Sequence, residues 1–442
     1  MTSAVTNSFQ RLLGDFLKED IDSDRPGYYL GLARAESFTE PTSLSSESFQ
    51  RQARHTLQSV KTINSVSYVI PTVTWSSGEI YEQYRDDNHA QTNFYVINSS
   101  REVFLCIEQA KINGNAQGST IQPTSTLAEN SAKTFSTSDG YKWRFLYKIS
   151  NLAYATYRTN SYTPVKKIIS FGTIPEEEQQ FNLQDSSVTG EILGIHIDSG
   201  GTGYLTRPVI TIGGNGSGAA FTSEVYDGKI VRIVVDSDGL GNFTHGSSYD
   251  YASVTLTGGT GSGAVLRPIY APKNGTSANP VETLRSGAVM IQGQFDGDET
   301  STIVADNDFY QVLLMRGIKK YANDSDFTAN TGNALNSLTL TSISGAFIED
   351  ETISNSLSTA IAKILVLDGS TLYYYQDEET GFGTFVVGQT ITSGAATASI
   401  TAINNPDIKR YSGEILYINN ISTGVPRETT QTEDIRIVIN LG

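Results

Sequence analysis

Phe9, Leu12, Leu13, Phe16 and Leu17 follow the i, i+3, i+4, i+7, i+8 spacing of a short amphipathic helix over residues 8–18, with Ser8 placed as its N-cap. Phe49, Ala53, Leu57 and Val60 share a face in the same way, which predicts a second helix from about Ser46 to Val60. Between them GYYLGLARA (27–35) is a continuous apolar run, the pattern of a buried strand. TNFYVINSSREVFLCIEQ (92–109) predicts two strands around the turn Asn98-Ser99-Ser100. In DGYKWRFLYKI (139–149) Tyr141, Trp143, Phe145 and Tyr147 alternate with Lys142, Arg144 and Lys148, so a half-buried strand is expected, aromatic on one face and charged on the other.

Glycine punctuates two stretches that repeat themselves. In the first, EILGIHIDSGGTGYLTRPVITIGGNGSGAAF is echoed by KIVRIVVDSDGLGNF and YASVTLTGGTGSGAVL. Asp198-Ser199 matches Asp236-Ser237 at an offset of 38, whereas Gly216-Ser217-Gly218-Ala219 matches Gly261-Ser262-Gly263-Ala264 at 45. A seven-residue insertion is therefore expected in the second copy, around His245 to Tyr249. In the second stretch, Phe347 and Glu351-Thr352-Ile353 recur as Phe385 and Gln389-Thr390-Ile391. The resulting division is a core made of residues 1–185, 273–335 and 404–442, interrupted by β modules at 186–272 and 336–403. The fold class expected is mainly β with a few helices, an α+β core of sandwich-like character carrying two small all-β inserts.

Composition supports that class: 40 glycines and 23 tyrosines favour strands and turns. Charge then removes several functions. With 31 Lys and Arg against 47 Asp and Glu the net charge is −16, which repels phosphate backbones and anionic membranes, so neither nucleic acid nor membrane is an expected partner. The opening MTSAVTNSFQRLLGDF has no basic segment followed by an apolar one, and the lone Cys106 cannot form an internal disulfide; synthesis in a reducing cytoplasm is expected.

The chemical motifs are weak. Gly214 begins a G-x-G-x-x-A match, but a phosphate cradle must open a helix, and Phe221–Tyr226 alternates like a strand; tight turns are the reading adopted. With four histidines (His55, His89, His196, His245), no G-x-S-x-G, no H-E-x-x-H and no cysteine pair, neither a nucleophile–base pair nor a metal set can be assigned. DSDGLGN (236–242) resembles the head of a calcium loop, yet its glycine comes fourth and position twelve is Ser247; a turn is expected, with a weak ion site at Asp236 and Asp238 as the other reading. Glu349-Asp350-Glu351 and Asp377-Glu378-Glu379 read as solvated loop charges. No catalytic residue, cofactor, metal ligand or small-molecule substrate is expected. Trp75, Tyr81 and Tyr84, set among polar residues, are the candidate partner-interface residues, against the alternative that they pack on their own sheet.

Several segments resemble a known family. GYYLGLARAESF, VIPTVTW, TNFYVINSSREVFLCIEQA, DGYKWRFLYKIS and, most specifically, the closing IKRYSGEILYINNISTGVPRETTQTEDIRIVINLG are similar to the baseplate wedge subunit of contractile-tailed phages of the T-even type. The similarity covers roughly residues 1–185, 285–335 and 404–442. It implies a structural virion protein of the tail baseplate, assembled in the host cytoplasm, forming a homodimer and joining neighbouring wedge proteins, with no active site. The two glycine-rich inserts depart from that pattern and resemble β repeats spread among phage structural proteins. A carbohydrate-binding tail fibre or adhesin is the alternative, stacking sugars on exposed aromatics among Tyr204, Phe221, Tyr226, Phe243, Tyr249 and Tyr251; a glycan-degrading enzyme is the third.

Overall fold

The computed structural model describes residues 6–23, 27–34, 46–63, 65–125, 133–299, 301–355 and 357–441; Ala35, the last residue of the expected 27–35 strand, lies outside them. The protein is mainly β, its strands spread over several antiparallel sheets and one closed barrel, with five helices among the described residues. The chain forms two compact units. One is built from Met1–Gly14, Ser67–Met290 and Ile439–Gly442, the other from Asp15–Val66 and Ile291–Val438. Residues 1–185 are thus shared between units instead of forming one piece with the other flanking segments.

In the first unit the strands Tyr95–Ile97, Glu102–Glu108, Lys142–Lys148 and Thr134–Ser136 make a four-stranded sheet. The turn at Asn98 forms where expected, its side-chain oxygen accepting the Ser100 and Glu102 N–H groups at 2.9 Å. Lys142–Lys148 is not half-buried, however: Lys142 and Arg144 are as buried as Trp143 and Phe145. A buried cation is tolerated only when paired. Lys142 meets Glu108, which also receives Arg232 at 2.6 Å, and Arg144 forks onto Glu191 at 2.5 and 3.0 Å.

Glu191 and Arg232 belong to the glycine-punctuated module, whose two copies are related by an internal two-fold. Val209 pairs with Thr257 and Ile212 with Val254, so residues 45 apart exchange places across the central strand pair Val209–Gly214 and Ala252–Thr257. Ile192–Thr202 pairs with Ser262–Tyr270. Its counterpart is interrupted, Lys229–Val235 pairing with Phe221–Tyr226 and His245–Ser247 with Ser217–Ala219. Matching registers place Ile197 opposite Leu266 as Val235 lies opposite Phe221, and Gly200 opposite Ala264 as His245 lies opposite Ala219. The insertion is therefore Ser237–Phe243, a loop closed by Thr244 N–H donating to the Asp236 carbonyl at 2.9 Å, and not residues 245–249. Sequence offsets alone bracket a gap; the ladder locates it.

Gly216 and Gly261 owe their identity to this symmetry. A Cβ on Gly216 would stand 2.4 Å from the Tyr249 ring and 2.5 Å from the Ser247 carbonyl oxygen; on Gly261 it would stand 2.4 Å from the Tyr204 ring and 2.7 Å from the Thr202 oxygen. Each copy's tyrosine thus lies on the other copy's glycine, and both rings are buried in the module core with Ile195, Phe221, Ile230 and Ile233.

His245 joins the module to the Lys142–Lys148 sheet. Its Nδ1 faces the Ile192 carbonyl at 3.0 Å and must donate, leaving Nε2 to accept from the Thr134 hydroxyl at 2.8 Å, while that hydroxyl accepts from Arg144 at 3.0 Å. Every group is satisfied only with neutral imidazole. Burial, with the Arg144 charge second, pushes the His245 pKa down to about 4.

In the second unit Tyr28–Ala33 lies between Leu57–Ile63 and Asn307–Arg316, and Glu414–Arg427 flanks the latter. This pairing of chain start with chain end explains why residues 1–185 are divided. The helix expected to reach Val60 is Glu47–His55 (α2), capped by Ser46, whose side chain accepts the Phe49 N–H. Leu57 and Val60 instead enter a strand, Val60 opposite Gly31; a bulge at Gln58 lets residues three apart reach the same core, and long-range pairing overrides the helical spacing. Asn336–Ser344, Thr352–Asn355, Ile361–Asp368, Thr371–Tyr375, Thr390–Ser393 and Ala396–Asn404 close a six-stranded barrel. Its repeat is again structural, with Phe347, Phe385, Ile353 and Ile391 in one core and Ser354 facing Thr392 across the junction at 3.3 Å. Arg34, almost fully buried, ties the five-stranded sheet to the barrel through Glu349 and Asp350, both at 2.6 Å, so these acids are ion-pair partners and not merely solvated charges.

Gly216→Ala and Gly261→Ala should each destabilise the protein by about 2 kcal/mol or more, because backbone and the stem of a packed ring cannot yield; Gly239→Ala, with open space around it, should cost only about 1 kcal/mol, the penalty of a positive φ. Urea unfolding measures both. For His245, the unfolded chain takes up a proton near pH 6.5 and the folded chain near 4, so stability is complete above about 6.5 and falls as pH drops towards 4. The loss should be on the order of 3 kcal/mol. His245→Gln should flatten that part of the pH profile.

Candidate interaction surfaces

Helix α1 (Asn7–Asp22) begins one residue earlier than the expected 8–18 and runs four residues further. Thr6 caps it, accepting the Phe9 N–H through its hydroxyl at 3.3 Å, and Ser8 lies inside, accepting from Arg11. Gly14 is the contact point with the body of the first unit: it is buried, and a Cβ there would fall 2.5 Å from the Tyr68 ring, whose hydroxyl donates to the Arg11 carbonyl at 2.7 Å. Among residues 8–22 of the helix Gly14 and Ile21 are the buried ones. The apolar stripe points elsewhere, and Phe9, Leu12, Leu13 and Phe16 stand 50, 46, 39 and 58 % exposed. Four large apolar side chains on one helix face, uncovered, are what an interface looks like before its partner arrives.

The closing segment offers a second uncovered element. Glu414–Arg427 pairs only with Asn307–Arg316, at the end of its sheet. Leu416 and Tyr417, neighbours on opposite faces, are 47 and 43 % exposed. Ile418 is buried in the core and Ile415 packs against it, so what lies open is the strand's free backbone edge with Leu416 and Tyr417, a ready template for another chain.

Motif residues of this segment are held by specific contacts. Arg54, in the last turn of α2, donates to the carbonyls of Arg410, Ser412 and Gly413 at 2.7–2.8 Å, and Arg410 returns a bond to the His55 carbonyl at 3.1 Å. Ser412 Oγ donates to the Lys409 carbonyl and accepts the Lys319 N–H. Gly413, at φ +65°, approaches the Arg316 carbonyl so closely that a Cβ would be 2.4 Å away. Arg427 is fully buried and satisfied by Glu433 at 3.0 Å and by the Val304 and Gly297 carbonyls. The Arg-Tyr-Ser-Gly-Glu and Thr-Glu patterns are thus anchors that lay the strand down.

Trp75, Tyr81 and Tyr84 require correction as interface residues. Tyr81 is 3 % and Tyr84 5 % exposed, and Trp75 packs against the same core as Tyr81. Tyr81 meets the Trp143 ring edge-on at 5.7 Å and its hydroxyl accepts the Ser76 N–H at 2.7 Å. Trp75 donates to Ser119 Oγ at 3.0 Å, and Arg285 lies over Tyr84 and Phe94. The segment is irregular, as expected, but its aromatics turn inward because the sheet beneath it is aromatic and apolar.

The remaining candidates resolve into structure. No helix follows the G-x-G-x-x-A loop; strands Ser217–Ala219 and Phe221–Tyr226 do. Asp238 spends its carboxylate on the Leu240 and Asn242 N–H groups and the Asn242 amide, at 2.8–3.0 Å, which lowers its pKa and closes a turn. Among the described residues no three His, Cys, Asp or Glu side chains converge on a metal position, and no helix is long and apolar enough to cross a membrane. Cys106 is fully buried, which pushes its thiol pKa up. In the first module Tyr204, Phe221 and Tyr249 are interior, while Tyr226 and Tyr251 are exposed. No protein-family profile matches the chain, and no curated protein matches it.

Tyr84→Ala should lower stability by about 3 kcal/mol, the cost of emptying a buried aromatic site, where a surface tyrosine would cost within about 0.5 kcal/mol. Thermal or urea melts distinguish the two.

Proposed function

We propose that this protein is a structural component of a phage tail baseplate wedge, a part that works by being held between neighbours. The observation that carries the reading is the uncovered apolar face of α1. A subunit must stay dispersed until assembly and then bury surface, about 1,000 Å² or more for each stable specific contact. Net charge of −16 serves the first requirement by keeping free copies apart. Phe9, Leu12, Leu13 and Phe16, with the exposed strand Glu414–Arg427, serve the second. The closing segment's resemblance to T-even-type wedge subunits names the assembly. Self-association into a homodimer and contact with other wedge proteins are the partners proposed; no catalysis, cofactor or small-molecule substrate enters the proposal.

The test is assembly itself. The purified protein should sediment as a dimer and enter a larger complex when mixed with the other wedge proteins of its phage. Leu12→Asp combined with Phe16→Asp should leave the melting temperature within a few degrees of the parent, since both side chains are already in solvent, while lowering the assembled fraction at least tenfold. A double variant that assembles normally removes α1 from the interface; a monomer that joins no complex removes the proposal.

A further inference from the structure

The cleft lined by Tyr321, Asn336, Pro406, Ile408, Arg410 and Tyr411 in the second unit has a volume of about 490 Å³ and contains an unbalanced charge. Arg410 is largely surrounded by protein, and burial lowers its pKa. Among the described residues its one protein acceptor is the His55 carbonyl, taken by Nη1, and no carboxylate lies within ion-pair range. The ionisable side chains that surround it are tyrosines, Tyr411, Tyr374 and Tyr321. The neighbouring cations do not share this state. Lys409 is paired with Asp324, Lys319 with Asp326, and Arg51 with Glu378. Arg54 is also without an acid, but three carbonyl oxygens satisfy it. In a chain with 47 acids against 31 basic residues, an arginine held partly out of water with no counter-ion is an open electrostatic demand.

We propose that this cleft is a binding site for a carboxylate, seated on the free edge of the Arg410 guanidinium. Lys409 also lines the cleft but is paired with Asp324, so the site offers one uncompensated positive charge, on Arg410, and neutral donors. Among the described residues the Tyr321 hydroxyl and the Asn336 side-chain amide line the cleft without a protein hydrogen-bond partner, whereas the Tyr411 hydroxyl is engaged by His55 at 2.6 Å and Ser412 by Lys409 and Lys319. One cation balances one monoanion, and a planar guanidinium matches a carboxylate in two parallel bonds. A phosphate near neutral pH carries closer to two charges and would leave one unbalanced in a cleft where Arg410 is the one cation not already paired. The carboxylate has two possible sources, a free organic acid or an acidic side chain of a protein segment. The proposal is independent of the assembly reading, because it rests on the charge state of one cleft.

Titration of the full chain with propionate, and separately with a blocked glutamyl dipeptide, at ionic strength matched by chloride, tests it. The readout is the arginine Nε–H resonances, with melting temperature as a second measure. A saturable shift of one arginine signal is expected, absent in Arg410→Gln. Arg410→Lys, which keeps charge and loses the fork, should weaken binding roughly tenfold, and Tyr321→Phe several-fold, each preserving the fold. Equal affinity for propionate and peptide identifies a free acid as occupant; tighter peptide binding identifies a protein segment. No saturable shift beyond the chloride control overturns the proposal, as does unchanged affinity in Arg410→Lys or tighter binding of inorganic phosphate than of propionate.

Discussion

The strand Lys142–Lys148 sets a condition that the first unit is built to meet, since it is covered on both faces while burying two cations, Lys142 and Arg144. Each buried charge must find a counter-charge or cost several kcal/mol. Glu108 from the adjacent strand answers Lys142, but Glu191, which answers Arg144, comes from the start of the glycine-rich module, as Arg232 does from its middle. The module is consequently wired to the sheet through Arg144, Thr134 and His245 and is not a loosely attached ornament. The same device recurs in the second unit, where Arg34 reaches the distant Glu349 and Asp350, and Arg427, paired with nearby Glu433, reaches the distant Val304 and Gly297 carbonyls. A highly acidic chain uses its scarce buried arginines as rivets.

Duplication explains most of what surrounds those rivets. In the first module two copies exchange a tyrosine and a glycine across a two-fold axis, so the Gly-Ser-Gly-Ala turns are packing features and not ligand loops. In the barrel, the repeat places Ser354 beside Thr392 at the symmetry junction. At Gly216 and Gly261 this packing relies on close approach of backbone and ring, which admits only glycine. The apolar side chains that the modules leave exposed, such as Leu205, Leu240 and Leu357, are scattered, whereas α1 gathers Phe9, Leu12, Leu13 and Phe16 on one helix face.

The sequence carried local features well. The α1 periodicity, the Asn98 turn and both repeats were legible because each is written within a few dozen residues. Features decided at long range were not. Leu57 and Val60 fit a helix until Gly31 and Asn333 are known to lie alongside their strand. Tyr81 and Tyr84 look like surface residues amid Ser, Glu, Gln and Asp, and only the Trp143 sheet beneath explains their burial. The division of residues 1–185 between two units is equally invisible, since it depends on Tyr28–Ala33 joining Asn307–Arg316. Arg410 was visible as a motif letter; that it lacks a counter-ion requires knowing every neighbour it has in space.

The central claim is that the apolar face of α1 is a contact surface in a tail assembly. Imaging the assembled tail at a resolution that traces side chains measures this directly. The account predicts this chain within the baseplate, with Phe9, Leu12, Leu13 and Phe16 covered by a neighbouring subunit. Tails that lack the chain, or that contain it with those four side chains in solvent, would contradict it.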